Sequence, residues 1–216
     1  MIAAARAFPP LFLVCLAGAA DALIVLHSHN LLAVYVTGNT TKVGVQLLSG
    51  TDVPRNIGAL LAIIATFFIA LVCAAKAGAM AGRWRAPLLL MVTALLLLGA
   101  SALAEPHYPV PVVMLIAAAM GTLNQVLADE PGVTFITGSL VRSARALADK
   151  DFSSAALGLM RPICLLCGAV AAAWLDAHLA TWTLAVIGGT AMAGALAGAM
   201  YIQQSTSAPC GQPSSS

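Results

Sequence analysis

No side chain is charged from Asn56 to Ala75, from Ala86 to Ala104 or from Pro162 to Leu175. These runs constrain the fold more than any other feature. About 20 apolar residues in a helix cross a hydrocarbon core about 30 Å thick. A soluble domain, by contrast, carries about 25% charged residues. Here charged residues make up 8% of 216 and hydrophobic ones 61%, with a mean hydropathy of +0.95. The chain therefore reads as all-α, a polytopic membrane helix bundle whose first partner is the lipid bilayer. A net charge of +2 gives no grounds for nucleic-acid binding.

Taken in order, long helices are expected at about 8–27, 56–77, 87–104, 110–128, 155–176 and 181–202. Ala17-Gly18-Ala19-Ala20 would suit a signal-peptide cleavage site, but the apolar character continues past Asp21 and favours a first span. The helix at 87–104 is Leu-rich and reads as lipid-facing bulk. Turn clusters stand at Ser49–Arg55, Glu105–Pro109 and Asp176–His178. One integral membrane domain covers 1–203, and the Ser- and Pro-rich tail at 204–216 is expected to be disordered.

Two segments interrupt this pattern and resemble each other. Val34-Tyr35-Val36-Thr37-Gly38-Asn39-Thr40-Thr41-Lys42 recurs one hundred positions later as Thr134-Phe135-Ile136-Thr137-Gly138-Ser139-Leu140-Val141-Arg142. In each, an apolar run meets Thr-Gly, a small polar residue follows, and a basic residue sits four places after the glycine. Gly18-x-x-Asp21 precedes the first copy and Gly121-x-x-Asn124 the second. The chain thus divides into repeats at about 8–105 and 106–203, each with three long helices and one Thr-Gly segment. Halves with an odd number of spans insert in opposite senses, the inverted repeat common among secondary transporters.

Charge decides whether the Thr-Gly segments span. If they do not, and the amino terminus is cytoplasmic, then Arg6, Lys76, Arg83, Arg85, Arg142, Arg145, Lys150 and Arg161 lie inside, with only Lys42 and Arg55 outside. The positive-inside rule favours that arrangement. The expectation is six spans in a 3+3 inverted repeat, both termini cytoplasmic, with two re-entrant or broken segments entering from opposite faces.

Non-helical backbone at membrane depth is tolerated only inside protein or beside water. Thr37 and Thr137 are placed to cap the helices that follow, whose free N–H groups and positive dipole ends favour an anion. If both starts meet near the midplane, Thr37, Gly38, Asn39 and Lys42 join Thr137, Gly138, Ser139 and Arg142 in one pocket. Asp21 and Asn124 add an ionisable and a polar group within spans. Packing contacts, snorkelling of Lys42 and Arg142, and local bonding of Asp21 explain the same residues without a ligand.

Metal and redox chemistry find little support. His27 and His29 have no third ligand at usable spacing. Cys164 and Cys167 form a C-x-x-C within an apolar helix, and the five cysteines read as small packing residues. No cofactor motif and no catalytic triad, zinc or phosphate-loop pattern appears.

The Ala17-Gly18-x-x-Asp21 helix, Tyr35-Val36-Thr37-Gly38-Asn39-Thr40 and Thr134-Phe135-Ile136-Thr137-Gly138-x-Leu140 together resemble the YoaK-like family. The resemblance covers about residues 8–202. It implies a multi-pass protein of the bacterial inner membrane with about six helices, and no established substrate. Members usually carry a bulkier, often Met-containing lead-in to the first Thr-Gly-Asn, where this chain has Val34-Tyr35-Val36.

Three functions follow from the residues. The first is a small-solute or anion transporter, with an anion or a carboxylate-bearing solute bound between the two helix starts. The second is a structural or regulatory partner of another membrane protein. The third, an enzyme using Asp21, His27, His29 and Lys42, is disfavoured by the lack of a catalytic pattern. Homo-oligomerisation is compatible with each.

Overall fold

The computed structural model describes residues 2–28, 31, 35–48, 56–128 and 132–207. The turn expected at 49–55, His29, Asn30, Val34, Asp129-Glu130-Pro131 and the tail beyond Ser207 lie outside them. Within the described residues the chain forms eight α-helices and no strand. They are α1 (Ile2–His27), α2 (Val36–Leu48), α3 (Ile57–Ala81), α4 (Arg85–Ala102), α5 (Val110–Leu123), α6 (Ile136–Ala148), α7 (Phe152–Leu179) and α8 (Thr183–Ser207).

Three stretches are long and apolar enough to cross a membrane: Pro9–His27, Ile57–Ala102 and Phe152–Ser205. The second folds back as α3 and α4 about a 3-10 turn at Gly82–Trp84. The third folds back as α7 and α8 about a similar turn at Ala180–Trp182. With the shorter apolar α5, these make six apolar helices. The Thr-Gly segments are α2 and α6, 13 residues each. At 1.5 Å per residue each is about 20 Å long, too short for a core of about 30 Å. The architecture is the helical membrane bundle that the sequence indicates.

The repeat is visible in the backbone. Gly82 (φ 54°, ψ −121°) and Ala180 (φ 45°, ψ −119°) open equivalent turns, and Trp84 and Trp182 close them. The halves are also inverted. The Tyr108 N–H donates to the His27 carbonyl at 3.0 Å, so the carboxyl end of α1 meets the amino end of α5.

Each half lends its first helix to the other: α1 packs along α7, and α5 along α3. Glycines permit both seams. A Cβ on Gly18 would overlap the Leu165 carbonyl, and one on Gly168 the Cys15 carbonyl. A Cβ on Gly121 would stand 2.6 Å from the Phe67 carbonyl oxygen. Small residues that bring backbones together are the usual device for helix association in lipid, where apolar side chains gain nothing by leaving the tails. The core runs through these seams: Val14, Ala17, Leu23, Ile63, Val113, Ile116 and Met120 are all buried.

Several expectations need correction. α4 is not lipid-facing bulk: Leu89, Thr93, Ala94, Leu97 and Ala100 are buried where α4 packs against α5 and α8. A uniformly Leu-rich helix offers no polar stripe to mark its inner face. α1 begins at Ile2 and runs through Pro9 and Pro10. α5 stops at Leu123, not about 128, because Gln125 and Val126 turn back on the Thr122 and Leu123 carbonyls. Asp176 to His178 are helical, and the reversal comes at Ala180. α8 carries helix past 203 to Ser207.

Candidate functional site: a two-arginine pocket between α6 and α7

α6 packs along α7. Ser139, in its first turn, shares a pocket with Arg161 of α7, while its carboxyl end returns to the start of α7. The geometry is that of a re-entrant half-helix. Neither threonine caps: the helices begin at Val36 and Ile136, one residue before Thr37 and Thr137. The first backbone bonds run instead to the carbonyls of Tyr35 (from Asn39 N–H, 3.0 Å) and Phe135 (from Ser139 N–H, 3.2 Å).

Gly158 fixes how closely α6 lies on α7. A Cβ there would overlap Ser143 Oγ and stand 3.2 Å from the Ser139 carbonyl oxygen. Pro162, one turn on, has no N–H to donate to the Gly158 carbonyl. Beside this contact is a cavity of about 350 Å³, lined by Ser139, Arg142, Ser143, Ser154 and Arg161 among others, with no acidic side chain among its described lining residues.

Arg161 is 8% exposed, although it stands nine residues into an apolar helix. Ser143 Oγ donates to the Ser139 carbonyl (2.9 Å) and Ser139 Oγ to the Ile136 carbonyl (2.7 Å). The cationic side chains in the cavity's wall are those of Arg142 and Arg161. Asp151, just before the first residue of α7, caps that helix. It accepts from Ser154 N–H (3.1 Å) and Ser153 Oγ (2.7 Å), and hydrogen bonding by the Ser154 side chain, then the Ser153 side chain, holds it down at about 2.

The first half carries other side chains in the equivalent place. On the register set by Gly82 and Ala180, Leu60 and Ile63 stand where Gly158 and Arg161 stand, and both are buried. Asn39, the counterpart of Ser139, is 1% exposed, and Lys42 is half-buried. Thr37 and Thr137 are exposed, and Gly38 and Gly138 half-buried.

α2 packs on α3 and α6 on α7, and the two short helices are not packed against each other. The single pocket expected between their starts is therefore divided. The second part is a cavity of about 390 Å³ lined by Gly18, Asp21, Tyr35, Leu165, Ala169 and Ala173 among others. Asp21 is 8% exposed, and its Oδ2 has no hydrogen-bond partner among the described residues.

A sequence profile described as "Protein of unknown function (DUF1275)" matches residues 10–207. The chain belongs to that family. No curated protein and no solved structure matches it. The family has no assigned activity, in keeping with the YoaK-like resemblance of its Thr-Gly elements.

In this family member Asn124 plays a structural part. Its Nδ2 donates to the Met120 carbonyl (2.9 Å), and its Oδ1 accepts from Thr134 N–H (3.1 Å) and Oγ1 (3.0 Å). It thereby ties the end of α5 to the lead-in of α6. His27 does similar work at the opposite face. Its Nδ1 lies 2.8 Å from the Pro106 carbonyl and its Nε2 2.9 Å from both Asp176 oxygens, with the ring stacked on Tyr108.

Sequence reasoning missed Ser143, Ser154, Gly158 and Arg161. The sequence puts Arg161 near the start of the helix expected at 155–176 and counts it with the cytoplasmic charges. The signal that locates it is the Asp151-x-x-Ser154 cap, which starts α7 at Phe152 and carries Arg161 more than two turns inside.

Proposed function

We propose that this membrane protein is a permease for small anions, including carboxylates, and that the pocket between α6 and α7 is its binding site. One observation carries the reading: Arg161, nine-tenths buried in the apolar α7, lines with Arg142 a polar cavity that has no acidic residue among its described lining residues. Charge within a span is costly and marks a pathway or a ligand. Guanidinium groups recognise carboxylates and oxyanions through paired N–H donors. The inverted halves support alternating access, one half moving against the other. In this reading the protein lies in a bacterial inner membrane with both termini in the cytoplasm, and it is not an enzyme.

The test is uptake into liposomes carrying the purified protein, over a panel of halides, inorganic oxyanions and monocarboxylates. At least one anion is taken up by the wild type. Arg161→Gln weakens its apparent affinity roughly 10- to 100-fold, the worth of a charged hydrogen bond, while Arg161→Lys restores part of it. Uptake of none of the panel, or equal uptake by correctly folded Arg161→Gln, refutes the reading.

A further inference from the structure

Asp21 stands in the first half where Asn124 stands in the second, and the two side chains differ in what they bond. Asn124 is spent on structure, tied to the Met120 carbonyl and to Thr134. The residue matching Thr134 is Val34, whose side chain has no hydroxyl to offer. Asp21 is nine-tenths buried, and its Oδ2 has no hydrogen-bond partner among the described residues. It lines the cavity of about 390 Å³ between α1 and α7, whose other described walls are apolar save for Tyr35.

No cation stands beside Asp21 among the described residues. α1 and α7 run side by side in the same direction, since the Leu165 carbonyl meets Gly18 and the Asp176 carboxylate meets His27. Arg161 comes four residues before Leu165 and Asp21 three after Gly18. That sets the two about seven residues, roughly 10 Å, apart along the axes, and Arg161 lines the other pocket. On the far side of Asp21, His27 and Asp176 are bonded to each other, with Tyr108 stacked on the imidazole. α5 and α8, which also touch α1, carry no acidic or basic residue. Lys42 sits on α2, which packs on α3. The remaining titratable groups on these walls are the Tyr35 phenol and the thiols of Cys15 on α1 and of Cys164 and Cys167 on α7.

Apolar surroundings penalise an unpartnered ionised carboxylate far more than the neutral acid. Ionisable residues within spans mark proton or substrate pathways. The seam is also one that moves, because α1 belongs to the first repeat and α7 to the second. We infer that Asp21 is a proton-binding site. It holds its proton as the neutral acid while α1 and α7 are packed together, and passes it to water when that seam opens. Its further use, as the coupling site through which a proton gradient drives anion uptake, rests on the permease reading above; the proton site itself does not.

Dicyclohexylcarbodiimide tests the site on the wild-type protein in liposomes. This apolar reagent consumes the neutral acid: the carboxyl O–H adds across one C=N bond, oxygen joining the carbon and the proton joining the nitrogen. One adduct per chain is expected, placed at Asp21 by peptide mass spectrometry. Its rate should fall about tenfold per pH unit above the titration midpoint. Exposed Asp149 stays unlabelled, and Asp21→Asn takes no adduct. For coupling, the ratio of anion uptake with an inward proton gradient to uptake without one exceeds one in the wild type and falls to one in Asp21→Asn. No adduct at Asp21 in the wild type, or labelling indifferent to pH, overturns the proton site. A ratio of one in the wild type, or an undiminished ratio in Asp21→Asn, overturns the coupling. Absence of any anion uptake refutes the permease reading instead, and the adduct still decides Asp21.

Discussion

Replacing Gly121 by alanine tests the seam on which the two exchanged halves depend. The new Cβ would lie 2.6 Å from the Phe67 carbonyl oxygen and 3.0 Å from Ala70 Cβ, where ordinary contact begins at 3.4 Å. α5 must then withdraw from α3 by about 0.8 Å, the difference between 3.4 and 2.6 Å. The obstacle is backbone, so no side chain can swing aside. A gap of 0.5–1 Å forfeits about a quarter to a half of each dispersion contact across it. Overpacking of this kind costs about 1–3 kcal/mol, and the rigid partner places Gly121→Ala toward the upper end.

Gly18 occupies the same place in the first half, and its Cβ would overlap the Leu165 carbonyl. Gly18→Ala is therefore expected to be at least as damaging. Gly99→Ala is the control, because nothing lies within 4 Å of its Cβ. That change gains about 0.5–1 kcal/mol of helix propensity. Reversible unfolding in mixed micelles, or steric trapping in bicelles, measures all three. The reasoning fails if Gly121→Ala and Gly18→Ala are as stable as the wild type, or if Gly99→Ala is equally harmful.

Two further outcomes follow from the same geometry. Ala180 holds φ 45° and ψ −119°, a conformation natural to glycine at the first central position of a type II′ turn and strained for alanine. Ala180→Gly is expected to stabilise by about 1 kcal/mol, the strain relieved less the entropy glycine adds, and Gly82→Ala to destabilise, both read by the same unfolding assay. Burial, aided by the charge of Asp176, pushes the Tyr108 phenol up from 10.0 to about 12. A raised folded-state value means that stability is whole below pH 10 and lost as pH rises toward 12. Ultraviolet difference titration against Tyr108→Phe should show that alkaline loss only in the wild type.

The apolar runs alone specified membrane helices, because no other solvent accepts so few charges. The Thr-Gly pair and its matched surroundings specified two halves, and an odd number of spans per half specified their inversion. α2 and α6 were legible as interruptions because Thr-Gly and a basic residue break the apolar character of a span.

Tertiary structure alone decided which helices meet. In lipid every face of a span is apolar, so sequence periodicity carries no label for the buried side. Hence α4 looked peripheral although Leu97 and Ala100 are core, and the exchange of α1 and α5 between halves became visible only through the carbonyls facing Gly18 and Gly121. The same holds for the arginine pocket. Arg161 became a buried group when the cap at Asp151 fixed the start of α7, and Gly158 let Ser139 and Ser143 close over it. Shape and backbone approach, not polarity, chose those contacts, and shape exists only once the helices are in place.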